Sequence, residues 1–154
     1  MTREELYNHD MDYWLRALPQ YQIKIIEQLY SQDSGYEEVV NKWLQAFPSD
    51  TVPFGTEQNQ KVFYNKFLDE IEAFLRGDER YKSESDALLK NSSCIQTIVV
   101  SAISSAIGVK LGIAATFIAP AVVVVLGIIG KMGINAWLAK RECERKNLDN
   151  KQKI

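Results

Sequence analysis

"GVKLGIAATFIAPAVVVVLGIIGKMGIN", residues Gly108 to Asn135, holds an uncharged run from Leu111 to Gly130 between Lys110 and Lys131. At about 1.5 Å of rise per residue, a helix over that run is about 30 Å long, the thickness of the hydrocarbon core of a bilayer. The one residue in the run that resists a helix is Pro120, which closes Phe117-Ile118-Ala119-Pro120. Proline has no backbone N–H to donate and sits most comfortably in the first turn of a helix.

Two membrane readings follow. In the first, Leu111–Gly130 is a single span with a kink at Pro120, and the lysines snorkel to opposite interfaces. In the second, a helix runs from about Ser93 to Thr116, turns at Phe117–Pro120, and returns from Pro120 to about Lys140. Basic residues near a membrane segment are retained on the cytoplasmic side. Arg76, Arg80, Lys82 and Lys90 precede the apolar block, and Lys140, Arg141, Arg145 and Lys146 follow it. A single crossing exports one of these groups, whereas a hairpin keeps both inside, so the hairpin is the expected arrangement.

The hairpin places Lys131 well inside the second arm, where a lysine costs about 2.5–3.5 kcal/mol at the bilayer centre. Lys131, with Lys110 and with Asn135 one turn further on, is therefore a candidate lumen or interface residue; snorkelling and local thinning are the alternative. Ser104, Gly108, Gly112 and Thr116 recur every fourth residue and form a candidate line for helix packing or oligomerisation. The same glycines equally suit packing of the two arms against each other. Gly127, Gly130 and Gly133 notch the second arm. A third reading buries the hairpin beneath amphipathic helices until it is released, although about ninety preceding residues look too few to cover it.

The preceding residues read as helices. Thr2 with Glu5 forms a capping box, and Tyr7, Met11, Trp14, Leu15 and Leu18 fall on one face of a single helix. Pro19 suits the first turn of a second helix, with Ile23, Ile26 and Tyr30 turned inward. Ser34 with Glu37 repeats the capping signal ahead of a stripe of Tyr36, Val39, Val40, Trp43, Leu44 and Phe47. Pro48–Thr56 is a loop, and its residues Pro48, Pro53, Phe54 and Gly55 are a candidate partner surface. Thr56 caps a fourth helix carrying Phe63, Phe67, Ile71, Phe74 and Leu75, which Gly77 ends. A weaker helix follows over about 78–90. No period-two alternation precedes residue 90, so the expected fold is all-α: a helical domain over 1–90, a hydrophobic transmembrane hairpin over 91–140, and a charged tail over 141–154.

The average composition of the 154 residues, 46% hydrophobic and 25% charged, conceals a strong asymmetry. Residues 1–90 carry a net charge of about −7, residues 91–139 contain no acid and two lysines, and residues 140–154 are about +3. An acidic head argues against nucleic-acid binding. His9 is the only histidine, so neither a histidine triad nor a histidine-rich metal site assembles within one chain, and no phosphate-loop, dinucleotide or metalloprotease motif occurs. No enzyme activity, metal or cofactor is expected. Asp69, Glu70 and Glu72 read as solvating charges. Cys94 and Cys143 flank the apolar block and read as reduced thiols, with lipidation beside a membrane as the alternative. The tail carries Glu142 and Lys146 at i, i+4; it is expected to continue the second arm, touching anionic headgroups or pairing with the acidic head.

The opening "MTREELYNHDMDYW" is charged from its first residues. This predicts no cleavable signal peptide, hence a cytoplasmic head and tail on the inner membrane. The layout of a small helical head, a hydrophobic two-helix segment and a basic tail resembles the membrane effectors of bacterial defence and toxin systems. That resemblance implies a head that receives a signal or oligomerises, and a hairpin that makes the bilayer leaky. Its partners are then the lipid bilayer, further copies of the chain, and a possible protein partner on the head. The alternatives are a membrane-tethered adaptor and a soluble helical oligomer with a buried hairpin.

Overall fold

Capping and glycine chemistry divide the chain much as the sequence suggests. In the computed structural model, which describes residues 2–32, 35–45, 57–91 and 95–152 (backbone only for 57–62 and 148–152), all regular structure among the described residues is helical. The elements are α1 (Arg3–Tyr7), α2 (Met11–Leu15), α3 (Gln20–Gln32), α4 (Tyr36–Gln45), α5 (Glu57–Arg76), α6 (Lys82–Lys90), α7 (Gln96–Leu111), α8 (Ala115–Met132) and α9 (Ile134–Gln152). The partner loop Pro48–Gly55, Ser34, Phe47, Thr56 and Cys94 lie outside the described residues.

The N-terminal capping box is present in both directions: Glu5 N donates to Thr2 Oγ1, and Thr2 N donates to the Glu5 carboxylate. The single helix expected through Leu18 is instead two. Asp10 accepts from Tyr13 N and starts a new helix after Asn8 and His9, because a carboxylate on an extended residue satisfies first-turn amides that would otherwise lack partners. The apolar face survives the break, with Tyr7, Trp14 and Leu18 buried. Gly77 ends α5 at φ +72, as expected.

The hairpin turn is not at Phe117–Pro120. It lies at Gly112–Ala114, where Gly112 adopts φ +70 and Ile113 N bonds back to Gly108 O at 3.0 Å. Glycine reaches this left-handed conformation without steric cost, and that decides where the helix stops. Pro120 sits inside α8. Proline cannot supply the helical donor to Thr116 O, four residues earlier; one residue on, Trp43 Nε1 of α4 donates to Phe117 O at 2.9 Å and ties this turn to a neighbouring helix. The second arm is also not continuous to Lys140. Gly133, at φ +89, separates α8 from α9, and Ile134 N, at the start of α9, donates to Asn8 Oδ1.

Helix α8 is the hub of the molecule, packing against α7, α2, α4, α9 and α1. Ile118, Val122, Val123, Leu126 and Ile129 are fully buried, and they belong to one apolar cluster that also includes Trp14, Val39, Phe67 and Phe74. Residues 1–90 and the hairpin therefore share a single core.

Candidate functional site: an apolar hairpin, its sheath and its clamp

Helix α7 contains only uncharged residues before Lys110, and it stacks along α8. Gly108 is the point of closest approach at the tip: a Cβ there would meet Ile113 O at 2.6 Å. The fourfold spacing of Ser104, Gly108, Gly112 and Thr116 does not make one continuous face. Ser104 and Gly108 are buried within α7, Gly112 is the exposed turn, and Thr116 is exposed on the next helix. A spacing of four defines a stripe only while one helix continues, and Gly112 ends it. Ser104 Oγ is buried without a hydrogen-bond partner.

The second-arm glycines accommodate the head rather than α7. A Cβ on Gly127 would collide with the Met11 side chain, and one on Gly130 with the His9 carbonyl. The corner His9–Met11 is thus pressed against the helix backbone at close range. Asn135, expected on a polar stripe with Lys131, faces α1 instead. Its Nδ2 donates to Glu4 and its Oδ1 accepts from Arg3. The bonds to Glu4, from backbone first and then Asn135, hold its carboxyl below the usual range.

Lys110 and Lys131 are both exposed, each in the last turn of its helix, where a cation complements the helix dipole. In this folded form neither lysine faces an interior. Lys131 borders a cleft of about 620 Å³ walled by His9, Met11, Tyr30, Tyr36 and Glu38. The Tyr30 and Tyr36 rings stack there at 4.3 Å. Burial and the neighbouring Tyr30, Asp12 and Glu27 push the Tyr36 hydroxyl up from its ordinary pKa.

The acids of α5 do not merely solvate. Glu72 is 2% exposed and receives three guanidinium groups: Arg76 Nε at 2.8 Å, Arg145 Nη2 at 2.6 Å and Arg141 Nε at 3.3 Å. Arg141 is itself buried and also pairs with Asp69 and Glu144, while Arg76 Nη2 reaches Leu138 O at 3.1 Å. Glu70, also buried, accepts from Arg80 at 2.8 Å and from the Tyr81 hydroxyl at 3.1 Å. Burial first, and the Glu70 carboxylate second, raise the Tyr81 pKa. The tail therefore pairs with the head of its own chain, with Lys140 adding a bond to Glu37. Helical spacing puts Glu72 one turn from both Leu68 and Leu75, a signal of partial burial that the charge of the residue masks.

Among the described residues no group of three or more histidine, cysteine or acidic side chains is arranged to hold a metal ion. No protein-family model, curated protein or solved structure matches the chain.

Proposed function

We propose that this fold is the closed form of a membrane-perturbing protein, in which α7–α8 is a latent hairpin held down by the acidic head and the basic tail. The reading rests chiefly on α8. It has the length and composition of a membrane-crossing helix, yet 56% of its residues are buried among amphipathic helices. Two features support a releasable sheath. At Gly127 and Gly130 the head meets α8 at backbone-close range, so a small displacement of the His9–Met11 corner uncovers this part of the helix. The tail is fastened to α5 by ion pairs, of which the half-exposed Arg145 contact is open to salt and to a competing charged surface, unlike apolar packing. In this proposal the hairpin inserts with its tip at Gly112–Ala114, head and tail stay on one side, and several copies assemble to make the bilayer leaky, as in a defence effector.

The second reading is a helical scaffold or adaptor in which α8 is only a core helix. The same burial favours it, as does the length of α7, whose 16 residues make a helix of about 24 Å, shorter than a bilayer core.

The deciding experiment uses the full chain purified without detergent and added to dye-loaded vesicles of phosphatidylglycerol and phosphatidylcholine. The latent-hairpin reading expects dye release, faster in Glu72→Gln, where the clamp is broken. A folded wild type and a folded Glu72→Gln that both leave the vesicles sealed would establish the core-helix reading instead.

A further inference from the structure

A helix that carries exposed isoleucine and valine and no charge before its last turn is normally covered along that face by protein or lipid. Among the described residues helix α7 is covered on one side only, where it packs against α8, α5, α6 and α2. On or beside that bare side Ile95 is 53%, Ile98 43% and Val109 81% exposed, with Ser101 and Ser105 between them and the exposed turn Gly112–Ala114 beyond. Exposed apolar side chains clustered on one element mark a surface that meets something.

The charge pattern identifies what. The chain contains no acidic residue between Ala87 and Arg141, whereas residues 1–90 carry about −7 overall. Lys110 stands exposed beside Val109 at one end of α7, and Lys90 is exposed five residues before Ile95 at the other. Pairing this face in parallel with the same face of a second copy brings Lys110 to Lys110, with no acid on α7 to separate them. An anionic surface neutralises both lysines while accepting the isoleucine and valine side chains.

We infer that the outer face of α7 and the adjoining turn form a peripheral docking surface for an anionic lipid bilayer, used by the folded protein before any insertion. Val109, Ile98 and Ile95 enter the headgroup–acyl boundary, and Lys110 and Lys90 contact lipid phosphates. The helix lies along the interface with its inner face still packed on α8. This rests on the membrane reading of the hairpin for its purpose, but not for its geometry.

The test is co-sedimentation of the full chain with vesicles of phosphatidylglycerol and phosphatidylcholine, and with phosphatidylcholine alone, alongside Val109→Glu, Lys110→Glu and the control Ile25→Glu on α3. The substituted side chains are exposed, and circular dichroism verifies that each variant is folded. The expected result is binding to the anionic vesicles only, about tenfold weaker or more in Val109→Glu and in Lys110→Glu, and unchanged in Ile25→Glu. No wild-type binding, equal binding by all four proteins, or equal loss in the control would overturn the proposal. So would a wild-type oligomer that Val109→Glu dissociates without any vesicle binding, which would assign the face to a second copy. Dye release from the same vesicles separates the two claims: binding with sealed vesicles keeps the docking surface and removes the membrane-perturbing reading. Release that persists when Val109→Glu and Lys110→Glu change nothing removes the docking surface alone.

Discussion

At the scale of single residues, the largest electrostatic commitment is Glu72. Its carboxylate lies between helices α5 and α9 with little solvent contact, and the arginines around it differ in exposure: the Arg141 side chain is 8% exposed, whereas that of Arg145 is 51% exposed. Removing one partner of a buried ion pair leaves a charge without compensation, at a cost of about 3–5 kcal/mol, while an exposed pair contributes about 0–1 kcal/mol. Glu72→Gln is therefore expected to lower stability by about 3 kcal/mol or more in urea unfolding, and Arg145→Ala by about 1 kcal/mol or less. Comparable losses in the two variants would show that the cluster is uniformly solvated. A second residue-scale expectation concerns Tyr64, whose hydroxyl is pushed up to about 12, by burial first and by Glu37 and Glu38 next. Above pH 10 the unfolded chain releases this proton while the folded chain retains it, so its contribution is intact below pH 10 and is lost as pH rises towards 12. Urea midpoints measured between those values should fall less steeply in Tyr64→Phe than in the wild type.

At the scale of elements, glycine decides where helices end and where they touch. Gly112 and Gly133, both at positive φ, bound α8 on either side, and Gly127 and Gly130 within it admit the His9–Met11 corner. A methyl group at Gly130 meets a backbone carbonyl, which has no rotamer by which to yield. Gly130→Ala is expected to cost about 1–3 kcal/mol or more, as overpacking does, and to loosen α1–α2 from α8. Hydrogen exchange in residues 8–15 would report the loosening, and unchanged protection there would contradict the close packing. Trp43→Phe keeps the ring beside Phe117 but removes the indole donor to its carbonyl. A loss of about 0.5–1.5 kcal/mol is expected, the usual net value of one hydrogen bond.

At the scale of the whole molecule, a net charge of about −7 over residues 1–90 and about +3 over residues 140–154 enclose an apolar centre. The fold uses that arrangement by running α9 back along α5, so the C-terminal tail is joined to the middle of the chain by ion pairs over the flank of the core. Such a closure is sensitive to ionic strength. Thermal unfolding of the wild type is expected to shift downward as salt rises from low to moderate concentration, and Arg145→Ala, which removes the exposed partner, to respond less. The buried Arg141–Glu72 contact is screened little. Equal salt responses would place the stabilising charges elsewhere.

The sequence by itself determined that the chain is helical, where the N-terminal capping box and the Gly77 stop lie, and which faces of α4 and α5 are apolar. Each of these depends on residues within a turn or two of one another, so local chemistry suffices. On α3 the sequence turned Tyr30 inward, whereas Tyr30 is 45% exposed. It also presented the tail's pairing with the head as one open alternative. Tertiary structure alone decided the rest. Pro120 is carried inside α8 beside Trp43, which is distant in the chain and bonds the neighbouring Phe117 carbonyl. Whether the glycines of α8 serve self-association or packing of the head depends on His9 and Met11. Whether Glu72 is solvated or buried depends on Arg141 and Arg145, about seventy residues away. Periodicity reports which face of a helix is apolar, but not which partner covers it, and in this protein the partners come from the far ends of the chain.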